Sequence, residues 1–200
     1  MPKALRGAER LKGIGRGWLF MALQLHGQKS RARKRRIVLS CEGEVTEPEY
    51  FNNLNSMSST VVFEIVENDG TGSDPDHVLS RMKHHLKGNS LEEGDEAWLV
   101  MDQDKWTKKN MKKSHDWKNE KSCHHLAISR RRFEDWLKLH VEDDRGAQKK
   151  YHELLAGDNK HVPADFVTKD RVMAAVRLAK SRANVGNVYE IIESFFRKLL

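Results

Sequence analysis

From Ile37 onward, apolar positions fall alternately into short runs and helical stripes. Ile37–Cys41 and Ala97–Met101 are apolar runs of strand length, the kind found in strands covered on both faces of a parallel sheet. "TVVFEIVEN" (Thr60–Asn68) is rich in β-branched residues and predicts another strand, and Cys123–Ser129 a fourth. The intervening segments carry helical spacing. Tyr50, Phe51 and Leu54 form an apolar face behind Pro48, a residue tolerated in a helix's first turn. Pro75 and Asp76 open a helix to about Lys87, and Phe133, Trp136, Leu137 and His140 recur at i, i+3, i+4 and i+7. Three more helix-period segments, 147–157, 168–182 and 187–200, close the chain, with Gly157 and Gly186 as breaks. Strands alternating with helices predict an α/β fold: a mostly parallel sheet of about four strands flanked by helices, with a helical C-terminal part.

Both of the clearest strand runs end in acid. "AWLVMDQDK" carries Ala97–Met101 into Asp102 and Asp104, and "RIVLSCEGEVTE" carries Ile37–Cys41 into Glu42, Gly43, Glu44 and Glu47. The carboxyl ends of parallel strands face the crevice where open α/β sheets bind ligands. If these strands are neighbours, Glu42, Asp102 and Asp104 face one crevice. Carboxylates held this close need a proton, a cation or water to relieve their repulsion. An oxygen-seeking divalent ion, Mg²⁺ or Mn²⁺, suits them. The plainer alternative is that acids after strands are helix caps or solvated loop residues, which serves for any one of them better than for the set.

Composition narrows the setting. Two hundred residues suit one domain. No stretch approaches the roughly 20 apolar residues that span a bilayer; Gly17–Leu25 is too short, and its flanks lack a clear signal-peptide cleavage site. The two cysteines, Cys41 and Cys123, make no disulfide framework, so a reducing cytoplasm is the expected compartment. The net charge of +7 is uneven. Residues 1–36 hold 11 Lys/Arg against one acid, Glu9, while the rest of the chain is slightly acidic. Residues 1–34 therefore read as a basic extension ahead of a single domain, 35–200. Its "KSRARKRR" run, with Arg31, Arg33, Lys34, Arg35 and Arg36, reads as an arm for nucleic-acid phosphates or as a solvated tail. Its apolar piece, Ile14–His26, is either a helix packed on the domain or a partner, or part of a disordered lead.

After Asp104 the chain is Lys-rich, with Lys105, Lys108 and Lys109 followed by further lysines and with Trp106 and Trp117 interleaved. This is a plain exposed helix or a grip on a nucleic-acid backbone beside the metal. "DGTGSDPDH" carries Gly70 and Gly72 but matches no phosphate-loop fingerprint. His124 and His125 point to opposite faces of a strand, and neither cysteine sits at zinc-finger spacing, so no zinc site is expected.

A strand ending in Glu-Gly and a later one ending in Asp-x-Asp resemble the Toprim arrangement. More narrowly, "CEGEVTEPEYF", "AWLVMDQDK" and "ISRRRFEDWLKLH" resemble the three signature blocks of the RloB-like proteins, a Toprim-like family encoded at restriction and abortive-infection loci. The resemblance runs from about Arg35 to near the carboxyl terminus. Phe133-Glu134 and the later His140 occupy signature positions, whereas Arg130 and Arg131 stand where the pattern usually shows Asn-Pro. The resemblance implies that Asp102 and Asp104 are Mg²⁺ (or Mn²⁺) ligands, and that Glu42 is a ligand or general acid/base. Glu47 would complete a second metal site, with Glu134 joining the catalytic set. His140 reads as a core or capping residue rather than a base.

The implied activity is metal-dependent hydrolysis of DNA or RNA in antiphage or abortive-infection defence. No Tyr or Ser has the context of a topoisomerase nucleophile, so hydrolysis is preferred over strand passage. No Walker-type loop is present, and the family implies an ATPase partner encoded nearby. Two alternatives stand: a non-catalytic nucleic-acid-binding or sensing subunit, and a toxin that cuts a structured RNA such as tRNA.

Overall fold

The computed structural model describes residues 33–68, 70, 72–103, 106–156 and 161–197. Its centre is a sheet of four parallel strands in the order β2-β1-β3-β4: β1 (Arg35–Cys41), β2 (Val61–Ile65), β3 (Glu96–Asp102) and β4 (His124–Ser129). The helices are α1 (Thr46–Leu54), α2 (Pro75–Gly88), α3 (Lys112–Lys118), α4 (Phe133–Leu139), α5 (Arg145–Ala156), α6 (Lys169–Lys180) and α7 (Tyr189–Phe196). The α/β alternation read from the sequence is thus the architecture of the chain.

Strand parity sorts the core into two layers. Ile37, Leu39 and Cys41 of β1 face the same side as Trp98 and Val100 of β3. There they pack with Tyr50 and Phe51 of α1, Trp136 of α4, and residues of α5 to α7. Val38, Ala97, Leu99 and Met101 face the other side, with Val78 and Met82 of α2 and Trp117 of α3. Both faces are covered, which is why β1 and β3 read as nearly unbroken apolar runs.

The basic run is structural where it enters β1, whose first two residues are Arg35 and Arg36. Arg35 donates to Glu96 (Nη1–Oε1 3.1 Å) and to the Ser194 carbonyl, while Arg36 pairs with buried Asp95 (Nε–Oδ2 3.0 Å) and Glu64 (3.3 Å). Arg197 and the Ser194 hydroxyl also reach Glu96. Arg35 and Arg36, which the sequence offers as part of a phosphate-binding arm, are both engaged in ion pairs in the fold. Their guanidinium groups neutralise acids at the amino end of the sheet, far along the strands from the crevice. Arg31, and the apolar stretch Ile14–His26, lie outside the described residues.

The outer edge of β4 is closed by the segment between α6 and α7. Asn187 accepts from the Ile128 N–H (2.7 Å) and donates to the Leu126 carbonyl (3.0 Å), and the Arg130 N–H reaches the Val185 carbonyl (3.2 Å). Gly186 sits at φ +99°, with Ile128 O occupying the place a Cβ would need.

Candidate functional site

The order β2-β1-β3-β4 places the topological switch between β1 and β3. The chain leaves β1 toward β2 on one side, then returns across β1 to lay β3 on the other. In open parallel sheets the crevice at that point, beyond the strands' carboxyl ends, is where ligands bind. Register brings the two acidic strand ends level: Cys41 pairs with Val100, and the Glu42 N–H donates to the Val100 carbonyl (2.9 Å). Glu42 then turns its carboxylate to accept from the Asp102 N–H (Oε2, 3.0 Å) and lies 3.4 Å from the Trp106 indole nitrogen.

A cavity of about 420 Å³ opens here, lined among others by Glu42, Glu44, Glu47, Asp102, Glu134 and His161. Each acid arrives by a separate local rule. Asp102 shares parity with Trp98 and Val100, so its side chain emerges on the face that α1 and α4 cover. Glu47 lies in the first turn of α1, directly after the β1 loop, and is buried. Glu134 lies in the first turn of α4 and is also buried, a placement the apolar stripe of that helix did not predict. Gly43 explains the Glu-Gly pair: its N–H donates to Glu47 (3.2 Å), and a Cβ there would collide with the Glu47 carboxylate.

Proton affinities record the crowding. Burial, then repulsion from Glu47 and Glu42, raises the Asp102 carboxyl to about 8. Burial raises Glu47 to about 7; its own and Gly43's N–H groups oppose the shift, while Glu134 and Glu42 add to it. No Lys or Arg lines this cavity among the described residues. A site that holds protons against neutral pH in this way is one a divalent cation would discharge. Among the described residues, no three His, Cys, Asp or Glu side chains are already gathered as a ligand set. Asp104 and Lys105 lie outside the described residues.

Two helices that carry acids are tied together beneath the cavity. The Tyr50 hydroxyl of α1 meets His140 Nε2 (3.0 Å), and His140 Nδ1 lies 3.2 Å from the Trp136 carbonyl. A carbonyl can only accept, so Nδ1 carries the proton and Nε2 accepts from Tyr50. Burial drives His140 down to about 4, so it is neutral at physiological pH and serves as a core strut, as the sequence reading preferred over a base.

Several other expectations resolve. Trp117 is buried and stacked on His124 (centroids 4.0 Å apart), so it is no surface platform for bases. His125 stacks instead on Trp98 at 4.4 Å, on the opposite face from His124. Lys108 and Lys109 lie exposed in the turn before α3. Arg33 and Lys34 precede β1 and are exposed. Two site residues escaped the sequence reading. His161 holds Glu49 (Nδ1–Oε1 2.6 Å) at the cavity rim, 112 positions away in the chain. Buried Arg81 of α2 donates to the Cys41 carbonyl (2.9 Å) and the Gly72 carbonyl (2.6 Å), fastening the end of β1 to the loop before α2. Only its polarity inside an otherwise helical apolar face hinted at that role.

Fold and cavity define a parallel α/β protein with an acidic site at its topological switch point. The family described as RloB-like protein matches residues 37–191, and the chain belongs to that family. No curated protein matches it, and no solved structure does. Among the described residues no helix is long and apolar enough to cross a membrane.

Proposed function

We propose that this protein is a metal-dependent nuclease that hydrolyses phosphodiesters at the Glu42–Asp102 crevice. The observation that carries the reading is the meeting of Glu42, Glu47, Asp102 and Glu134 on one cavity at the β1–β3 switch point. Asp102 and Glu42, with Asp104 two positions further along the sequence, are the residues to hold Mg²⁺ or Mn²⁺. The ion, when bound, would orient the phosphodiester, sharpen a water nucleophile and offset charge on the leaving oxygen. Glu47 stands ready to accept or return a proton near neutral pH, because its burial sets its proton affinity there. Gly43 and the Tyr50–His140 strut keep Glu47 and Glu134 at fixed spacing. The Toprim-like description rests on the same pair of strand ends, and the role in antiphage defence with an ATPase partner rests on the family resemblance.

The burial of Glu47 and Glu134, with the Gly43 N–H held on Glu47, favours a second reading, a nucleic-acid-binding subunit whose acids are structural. Purified protein incubated with DNA and with RNA in Mg²⁺, Mn²⁺ or EDTA separates the two. The nuclease reading expects cleavage that requires the ion and falls to background in Asp102→Asn. Cleavage equal in EDTA, or unchanged in that variant, removes it.

A further inference from the structure

Beside the acidic cavity lies another of opposite character. It is an open groove of about 740 Å³ lined by Gln103, Trp106, Arg130, Arg131 and Arg132. The two adjoin along the chain and in space. Gln103 follows Asp102 and is held to β4 by its N–H to the Ser129 carbonyl (2.8 Å). Arg132 is followed directly by Phe133 and Glu134, which line the acidic side. Trp106 is the partition: its indole nitrogen faces Glu42 at 3.4 Å while the residue lines the basic cavity.

The three arginines are poorly compensated. Arg131 and Arg132 approach Asp135 only at 3.8 and 3.9 Å, and Asp135 is shared with Lys138. Arg130 makes no ion pair among the described residues. The side chains of Arg131 and Arg132 are 78% and 51% exposed, so packing does not account for them. The backbone holds the loop without their help, through the Arg130 N–H to Val185. Guanidinium groups recognise phosphates by paired hydrogen bonds, and an indole stacks on an unpaired base. A duplex keeps its base faces turned to one another and offers none to Trp106.

We propose that Gln103, Trp106 and Arg130–Arg132 form a subsite for single-stranded nucleic acid, which seats the nucleotides adjoining the phosphate at the acidic cavity. The purpose of the subsite rests on the nuclease reading; its existence is tested apart from it. Binding of short labelled single strands and matching duplexes to the full chain is measured by anisotropy in EDTA across a salt series. The wild type is expected to prefer single strands. Arg130→Ala, Arg131→Ala and Arg132→Ala combined should flatten log K against log salt by about 2, since each single-strand phosphate contact contributes about 0.7. Trp106→Leu should weaken single-strand binding roughly tenfold and leave duplex binding alone, whereas Trp106→Phe, which keeps a ring, should retain most of it. Equal affinity for both forms, or an unchanged slope in the triple variant, overturns the subsite. If that happens while Asp102→Asn abolishes cleavage, the nuclease reading survives; the reverse result leaves the subsite on a binding module.

Discussion

Replacing Asp102 with Asn should make the metal-free protein more stable above neutral pH. Asp102 ordinarily titrates at 3.8 and is raised to about 8 in the fold; Glu47 goes from 4.5 to about 7. For each, the folded state holds its proton more tightly than the unfolded chain, so the contribution to stability is full below the unfolded value and lost as pH rises through the folded one. For Asp102 that window runs from about 4 to about 8. At about 1.4 kcal/mol per unit, ionising Asp102 in the fold costs on the order of 5 kcal/mol. Part of that cost is repulsion shared with Glu47, so the two figures do not add. Against a typical domain stability of about 5–15 kcal/mol this is a large fraction. Asn has the same shape and no charge to lose. Urea denaturation of wild type and Asp102→Asn from pH 5 to 8.5 in EDTA should show curves that diverge with pH, the variant ahead by several kcal/mol at the alkaline end. Mg²⁺ should narrow the gap by stabilising the wild type alone. Parallel curves would mean that Asp102 is not crowded by carboxylates, and the argument for a cation at this site would fall with it.

Other substitutions probe the parts separately. Gly43→Ala places a Cβ on the Glu47 carboxylate and should displace it, so the pH window attributed to Glu47 should shrink in the same titration. Tyr50→Phe leaves His140 Nε2 buried without a donor and should cost about 1–3 kcal/mol in urea denaturation, with a fall in cleavage if the strut sets the spacing of Glu47 and Glu134. Arg35→Met removes one of two guanidiniums from Glu96 and should lower stability by about 1–3 kcal/mol without changing the salt dependence of nucleic-acid binding; a flattened slope would return Arg35 to the phosphate-binding arm.

The strand ends were legible because their chemistry is local. An apolar run followed at once by acid needs no partner to be recognised, and Asp102 inherits its face from the parity of Trp98 and Val100. What crosses the chain was hidden. Arg35 and Arg36 extend an unbroken basic run, and only the arrival of Asp95 and Glu96, where the neighbouring strand begins, ties them into the fold. Trp117 looked like an aromatic among lysines, yet Met111, Ser114 and Trp117 are spaced by three and all buried, a stripe masked by the charges between them. Glu134 was invisible to periodicity because its burial comes from meeting α1 and β3 at the cavity rather than from the apolar face of its own helix.

The strap at Gly186 also sets an order of events for the growing chain. Its pairing with Ile128 spans 59 positions, so during synthesis β4 can join β3 long before anything covers its outer edge. Until that later segment arrives, the newborn sheet carries an open row of amides that another half-made copy could extend, which is how edge strands begin to aggregate. Asn187 imitates a further strand with one amide side chain and so ends the row. A larger residue at Gly186 would therefore be felt first in yield and solubility during expression, before any loss showed in the finished molecule.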